Sequence, residues 1–257
     1  MDEFNIMIDI DNINRKSELS SLMTEQVNNQ LKELALKKVD QIIQSFQKEI
    51  RLEFGHHIRE FFQLFSQEEI GLQQLYQAYK KQLPAFDFQC SQRTILYTYE
   101  GTSCTIAYLG KQFSLEEEAF ARLLSNTIEI MREVLPLGSI VELDPAYFKP
   151  DRHATSPSKV VITGRFVSPK NDHSYFPYVG VLYPIGEIKA GAQIHFTAPL
   201  IKKVIHQGYK DEMEEAFVFL MKQELIVEKD MNAIEFSHHD MNKLQQEMAA
   251  KQKVGEV

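Results

Sequence analysis

An α+β fold, with a long N-terminal α-helical arm followed by a small antiparallel β-sheet domain with packed helices, is what three features of this sequence predict. Apolar residues recur at helical spacing through the first quarter of the chain. Short alternating runs rich in β-branched and aromatic residues fill most of the remainder, and turn signals separate those runs. The expected organisation is a helical arm with a short N-terminal strand over residues 1–83 and a β-hairpin with a connecting helix over 84–134. An α+β domain follows over 135–240, and a polar helical or disordered tail over 241–257.

The arm opens with FNIMIDI (4–10), whose alternation of Phe4, Ile6, Ile8 and Ile10 suits a short strand or an extended docking segment. From Ser17 the period changes. Leu19, Met23, Val27, Leu31, Leu34, Val39, Ile42, Phe46, Ile50, Phe54, Ile58, Phe61 and Phe65 recur every three to five residues, mostly four, as one face of a helix requires. Ile50, Phe54 and Ile58 hold their phase through Gly55, so the spacing predicts one continuous helix that carries a local glycine cost of about 1 kcal/mol. Ser66-Gln67-Glu68-Glu69 has the form of a capping box and predicts a second helix running to about Gln82, ahead of Pro84. A helix of that length cannot rest on propensity alone, so its apolar stripe must be covered by the second helix, by another copy of the chain or by a different protein.

The middle segment FDFQCSQRTILYTYEGTSCTIAYL (86–109) alternates on both sides of Glu100-Gly101-Thr102 and predicts a hairpin or three-stranded meander. Ser114 to Glu117 forms a second capping-box pattern, followed by a helix with Leu115, Phe120, Leu123, Leu124, Ile128, Met131 and Val134 and ended by Pro136. Beyond it, strands are expected at 135–143, 158–168, 175–186 and 193–198, with a proline-bearing loop over 144–157. Thr197 and Pro199 suggest the start of a short helix, LIKKVIHQ, closed by Gly208. A helix from Asp211 to Gln223 and a final hairpin from 225–229 and 233–236 complete the expected domain, as a small antiparallel sheet with helices on one face.

Composition narrows the function. A net charge of −8 and only 28 Lys and Arg against 36 Asp and Glu argue against nucleic-acid binding, which rests on clustered basic groups. Asp2, Glu3, Asp9 and Asp11 stand where a secretory signal needs basic residues, and no apolar run approaches a membrane span, so a cytoplasmic protein without membrane insertion is expected. Cys90 and Cys104 fit neither a disulfide framework nor a zinc spacing and are expected as small buried groups.

No pattern points to catalysis or to a cofactor. His56-His57 with Glu53 and Glu60, His238-His239, and Asp9-Ile10-Asp11-Asn12 lack the further ligands that a zinc or calcium site requires, so no metal is expected. Gly138, Gly164, Gly180 and Gly186 are isolated between strand residues and read as turn or close-packing positions rather than as a phosphate loop. Ser139, Ser156 and Ser158 have no nucleophile-elbow setting. The residues placed to touch a partner are Phe54, Ile58, Phe61 and Phe65 on the stripe, Arg165 with its planar donor fork, and Tyr178 and Tyr183 from an aromatic group that includes Tyr175 and Phe176. Alternation along the strand turns about half of those aromatics inward.

The ordered succession LPLGSIVEL, VVITGR, YVGVLYPIGEI and IHFTAPLIKKVIHQGYKDEMEEAF resembles the domain of unknown function family 4176 of Gram-positive bacteria, over about residues 134–222. Members of that family are commonly encoded beside LXG-type toxins of the type VIIb secretion system. The resemblance therefore implies an accessory role, as a chaperone or targeting adaptor that holds a toxin before export. An immunity protein that neutralises the toxin is the alternative, and the heptad-like spacing alone suggests a self-assembling coiled-coil structural protein.

Overall fold

The structure, a computed structural model, describes residues 25–46, 52–90, 93–144, 159–168 and 173–236. The segments 4–10, Asp9 to Asn12, His238-His239 and the tail 241–257 lie outside the described residues. Helices precede and flank antiparallel sheets, so the class is α+β.

The arm is a helical hairpin rather than one rod. Helix α1 covers residues 25–45 and α2 covers Leu52–Phe65. Arg59 pairs with Asp40 at 3.1 Å, and Gly55 faces Ile43, so positions that rise along α2 meet positions that fall along α1 and the two run antiparallel. Gly55 sits within α2 and is not the break. The continuous phase of the stripe was a poor guide to continuity because both arms of a helical hairpin need an apolar face at the same spacing. Folding back lets the stripe cover itself: Val39, Ile42, Ile58, Phe61 and Phe65 are at most 2 % exposed.

Helix α3 (Glu69–Lys80) starts at the expected place, but Ser66 is fully buried, its hydroxyl has no hydrogen-bond partner, and the residue flanking the helix start is Glu68. The middle segment is a four-stranded antiparallel meander: β1 (Ala85–Cys90), β2 (Arg93–Glu100), β3 (Ser103–Tyr108) and β4 (Lys111–Glu116). Leu109-Gly110, with φ of 48° and 74°, makes the β3–β4 turn, whose two left-handed residues match strand twist even without the usual Asn-Gly. Ser114 lies in β4 and bonds Thr105 across the ladder at 2.7 Å, so it caps nothing; helix α4 (Glu117–Met131) begins after the strand ends. α2 lies over this sheet through Phe61, whose ring meets Tyr108 at 5.3 Å and Phe113 at 5.7 Å.

The C-terminal sheet has the order β10-β7-β6-β5-β9, with β8 also on β7. Its strands are β5 (Ile140–Leu143), β6 (Lys159–Val167), β7 (Ser174–Leu182), β8 (Ile194–Phe196), β9 (Ile201–His206) and β10 (Asn232–Ala233). All pairings are antiparallel except β10 with β7. At Gly180 a side chain would meet Val161 O at 2.4 Å, so the close approach of β6 and β7 there requires glycine.

Two expectations fail in this half. LIKKVIHQ is not a helix: Thr197 and Pro199 give a single 3₁₀ turn (Ala198–Leu200), after which Ile201–His206 pairs with β5 as an edge strand. Ile201, Val204 and Ile205 favour that extended state, and the free edge of β5 supplies the hydrogen bonds. The final hairpin is absent as well. Helix α5 (Glu212–Lys222) widens into a π-helical turn (Gln223–Glu228) that takes up 225–228, and only Asn232–Ala233 adds to the sheet, parallel to β7.

Three apolar clusters form the interior. The first joins α1–α4 to the meander, and the third lies on the C-terminal sheet between Val141, Leu143, Val160, Ile162, Tyr178 and Phe196. The second joins the halves: Leu31, Leu34 and Ala35 of α1 and Ile130 of α4 pack with Phe166, Tyr175 and Leu225–Val227.

Candidate functional site

The joint between the halves contains a buried ionic network. Arg132, just past α4, donates to Glu129 at 3.1 Å and to Glu235 at 2.6 Å, and Glu69 of α3 stands 3.9 Å away. Tyr175 of β7 donates to the other oxygen of Glu129 at 3.1 Å. Lys222, fully buried at the end of α5, donates to the carbonyls of Ile130 and Arg132 at 2.7 and 2.5 Å and so satisfies the open end of α4. Lys38 of α1 does the same for the π-helical turn, bonding Ile226 O at 2.7 Å and Asp230, which Arg122 also holds at 2.8 Å. Burial pushes Glu235 up to about 7 against the pull of Arg132, with Glu129 adding to the rise. Burial likewise draws Lys222 down to about 8, with Glu129 opposing. One oxygen of Glu235, Oε2, has no hydrogen-bond partner.

Above this network lies an open cleft of ≈ 1880 Å³ between α3 and β1 on one side and β7, β8 and the 3₁₀ turn on the other. Gln73, Gln77, Phe86, Phe176, His195 and Pro199 are among its walls. Its depth carries Arg132 and Glu235 in their mutual ion pair, an arrangement that ties Ile234–Phe236 to α4.

The most exposed apolar helix face among the described residues belongs to α5. Met213 is 80 % exposed, Phe217 44 % and Leu220 61 %, and Ala216 is also exposed; their i, i+3, i+4, i+7 spacing makes one stripe. Val218, Phe219 and Met221 on the other side pack into the second cluster. The helix is fixed firmly at its start. Asp211 accepts a hydrogen bond from Glu214 N at 2.9 Å, and Glu214 accepts a two-pronged ion pair from Arg165 of β6. The Arg165 guanidinium lies 5.4 Å from the Phe217 ring centre, and Phe166 meets the same ring edge-on at 6.5 Å, so Phe217 is held in place while almost half of it remains open. Ahead of the helix, Gly208 approaches Leu137 O so closely that a side chain would sit 2.0 Å from it, and its N–H donates to Ser139 Oγ at 3.0 Å. That contact anchors the segment leading into α5, in which Tyr209 is 81 % exposed.

The residues singled out from sequence do not converge on one surface. Ile58, Phe61 and Phe65 are core residues, sealed by α1 and the meander, and cannot meet a partner on the folded chain; Phe54 is partly buried against the same cluster. Tyr178 is 2 % exposed, and its hydroxyl accepts a hydrogen bond from Leu135 N–H at 3.1 Å. Strand β7 is central and covered on both faces along most of its length, which defeats the alternation argument for its tyrosines. Arg165 serves Glu214 and Phe217 rather than a ligand. Tyr183 alone of the seven is well exposed, at the end of β7. His57 bonds Gln112 O at 2.9 Å, Glu60 pairs with Lys111 at 2.6 Å, and no group of three metal-binding side chains occurs among the described residues. Sequence reasoning missed the α5 stripe because AFVFLM is apolar on every side, and periodicity does not tell which side the sheet covers.

No described helix is long and apolar enough to cross a membrane. No curated protein and no solved structure matches the chain. Residues 134–217, which carry β5 to β9, Arg165, Met213 and Phe217, match the family described as Domain of unknown function (DUF4176).

Proposed function

We propose that the chain is a non-enzymatic cytoplasmic binding protein, a chaperone or targeting adaptor for an LXG toxin of the type VIIb secretion system, and that the exposed face of α5 takes the toxin. The observation that carries the reading is the stripe Met213, Ala216, Phe217 and Leu220, an apolar face on a rigidly held helix at the spacing used for helix-in-groove recognition. The resemblance of the surrounding domain to proteins encoded with such toxins supplies the identity of the partner.

Magnitudes bound the contact. Full burial of one such side chain gives roughly 1.5–3 kcal/mol, so covering the open fractions of Met213, Phe217 and Leu220 gives about 3–5 kcal/mol. Association itself costs about 4–15 kcal/mol, so these three side chains form the centre of a larger contact. The seam that a self-assembling coiled coil would need is covered within the chain over the described residues.

Replacing Met213 and Leu220 by Asp in producing cells tests the reading, because both are exposed and the fold does not depend on them. Secreted toxin is expected to fall at least about tenfold, the loss that corresponds to roughly 1.4 kcal/mol, at an unchanged level of the adaptor. Unaltered secretion contradicts the chaperone role, and loss of self-protection with secretion intact selects the immunity role instead.

A further inference from the structure

We propose that the partner of the α5 face is an amphipathic helix with a basic last turn, docked antiparallel to α5 so that this turn lies over Asp211 and Glu212. The inference rests on the binding role given to α5 above and specifies the chemistry and direction of what binds there.

Four acids stand at the start of α5, but they are not equivalent. Glu214 is neutralised by Arg165, and Glu215 lies 3.4 Å from Lys210. Asp211 spends one oxygen on the helix start, Glu212 is exposed, and neither has an ion pair among the described residues. Two carboxylates without an ion pair among the described residues therefore border Met213 and Tyr209, at the most open end of the stripe, on a chain of net charge −8.

The opposite end differs. The cation in the last turn, Lys222, is buried and spent on Ile130 O and Arg132 O, and beyond it Glu224 pairs with Lys229 at 3.1 Å. Among the described residues of α5 and the turn that follows it, an incoming helix thus meets carboxylates without an ion pair at the N-terminal end. Basic side chains are stabilising in the last turn of a helix, where the carbonyl ends of the peptide dipoles gather, so a helix carrying its cations there satisfies its own dipole and α5 together. Placing that turn over Asp211 and Glu212 makes the two helices antiparallel, with opposed macrodipoles. Apolar contact supplies the hold, and charge supplies the direction.

The probes are two labelled peptides of about 18 residues, some five helical turns, with an identical apolar face and either three lysines or three glutamates in the last turn. Binding to the full chain is read by fluorescence anisotropy. The lysine peptide is expected to bind about 3–10-fold more tightly at about 50 mM salt, with most of that ratio lost near 0.5 M as screening shortens. Glu212→Gln should weaken the lysine peptide about 2–5-fold and should not weaken the glutamate peptide, whose repulsion it relieves. A nitroxide at the C-terminus of the lysine peptide should broaden the methyl resonance of Met213 more strongly than those of Leu220, which lie about 10 Å further along the helix.

Equal binding of the two peptides, or stronger broadening at Leu220 than at Met213, overturns the proposed partner while leaving α5 as the surface. Binding of either peptide that survives Met213→Asp with Leu220→Asp overturns α5 itself. Both positions are exposed, and an unchanged melting temperature verifies that the variant is folded.

Discussion

Glu235 is held by Arg132 in a place where water does not reach its second oxygen, and that combination makes the joint pH-sensitive. Its carboxyl titrates near 7 in the fold and about 4.5 when unfolded, so the native chain holds a proton that the unfolded chain has lost between those values. The stability linked to Glu235 is therefore full below about pH 4.5 and is lost as pH rises through about 7. Lys222 acts in the next window: its pKa drops from 10.5 to about 8 on folding, so its contribution is present above 10.5 and is lost as pH falls through 8. Together the two groups put a shallow minimum of stability between about pH 7 and 8. Denaturant titrations should show a wild-type loss on the order of 1–3 kcal/mol between pH 5 and 7.5 that is largely removed in Glu235→Gln. A variant that keeps the wild-type slope would place the titrating group elsewhere. None of this was legible in the sequence, because Glu69, the Glu129/Arg132 pair, Tyr175, Lys222 and Glu235 come from five separate stretches that only the fold brings together.

The elements divide into those whose local pattern agrees with their surroundings and those overruled by them. The meander and the strands around Val141, Ile162 and Val179 were readable because β-branched alternation and turn residues coincide there. Helix α1 and helix α2 were readable as helices but not as a hairpin, since the turn between them leaves the apolar spacing intact. β9 was misread because Thr197, Pro199 and Gly208 imitate helix boundaries, while the open edge of β5, which decides the outcome, has no local signal. The same contrast separates two kinds of apolar residue. Phe61 contacts the rings of Phe62, Phe65, Tyr108 and Phe113 at 5.1–5.7 Å or close to it through α2 and the meander, and Phe61→Ala should cost about 3–5 kcal/mol in chemical denaturation. Met213→Asp should stay within about 0.5 kcal/mol of the parent chain. Equal losses at the two positions would mean that α5 is covered in solution and is no free surface.

At the level of the whole molecule, α1 and α4 each run from the first apolar cluster into the second, and the lysines on α1 and α5 close helix ends that belong to other elements. The helical arm is thus a structural part of the body that carries residues 134–217, and the binding face proposed above lies on α5 rather than on the arm's stripe. Fold class and family could be read from the sequence, whereas the contact surface could not, since the sequence does not record which apolar residues the fold spends on itself. The account stands on α5 being that surface. Co-expression of the chain with its cognate LXG toxin, followed by size-exclusion chromatography with light scattering, tests it most directly. The account predicts a stable complex for the parent chain and two separate peaks when Met213 and Leu220 are both replaced by Asp. A complex that survives both substitutions would contradict it.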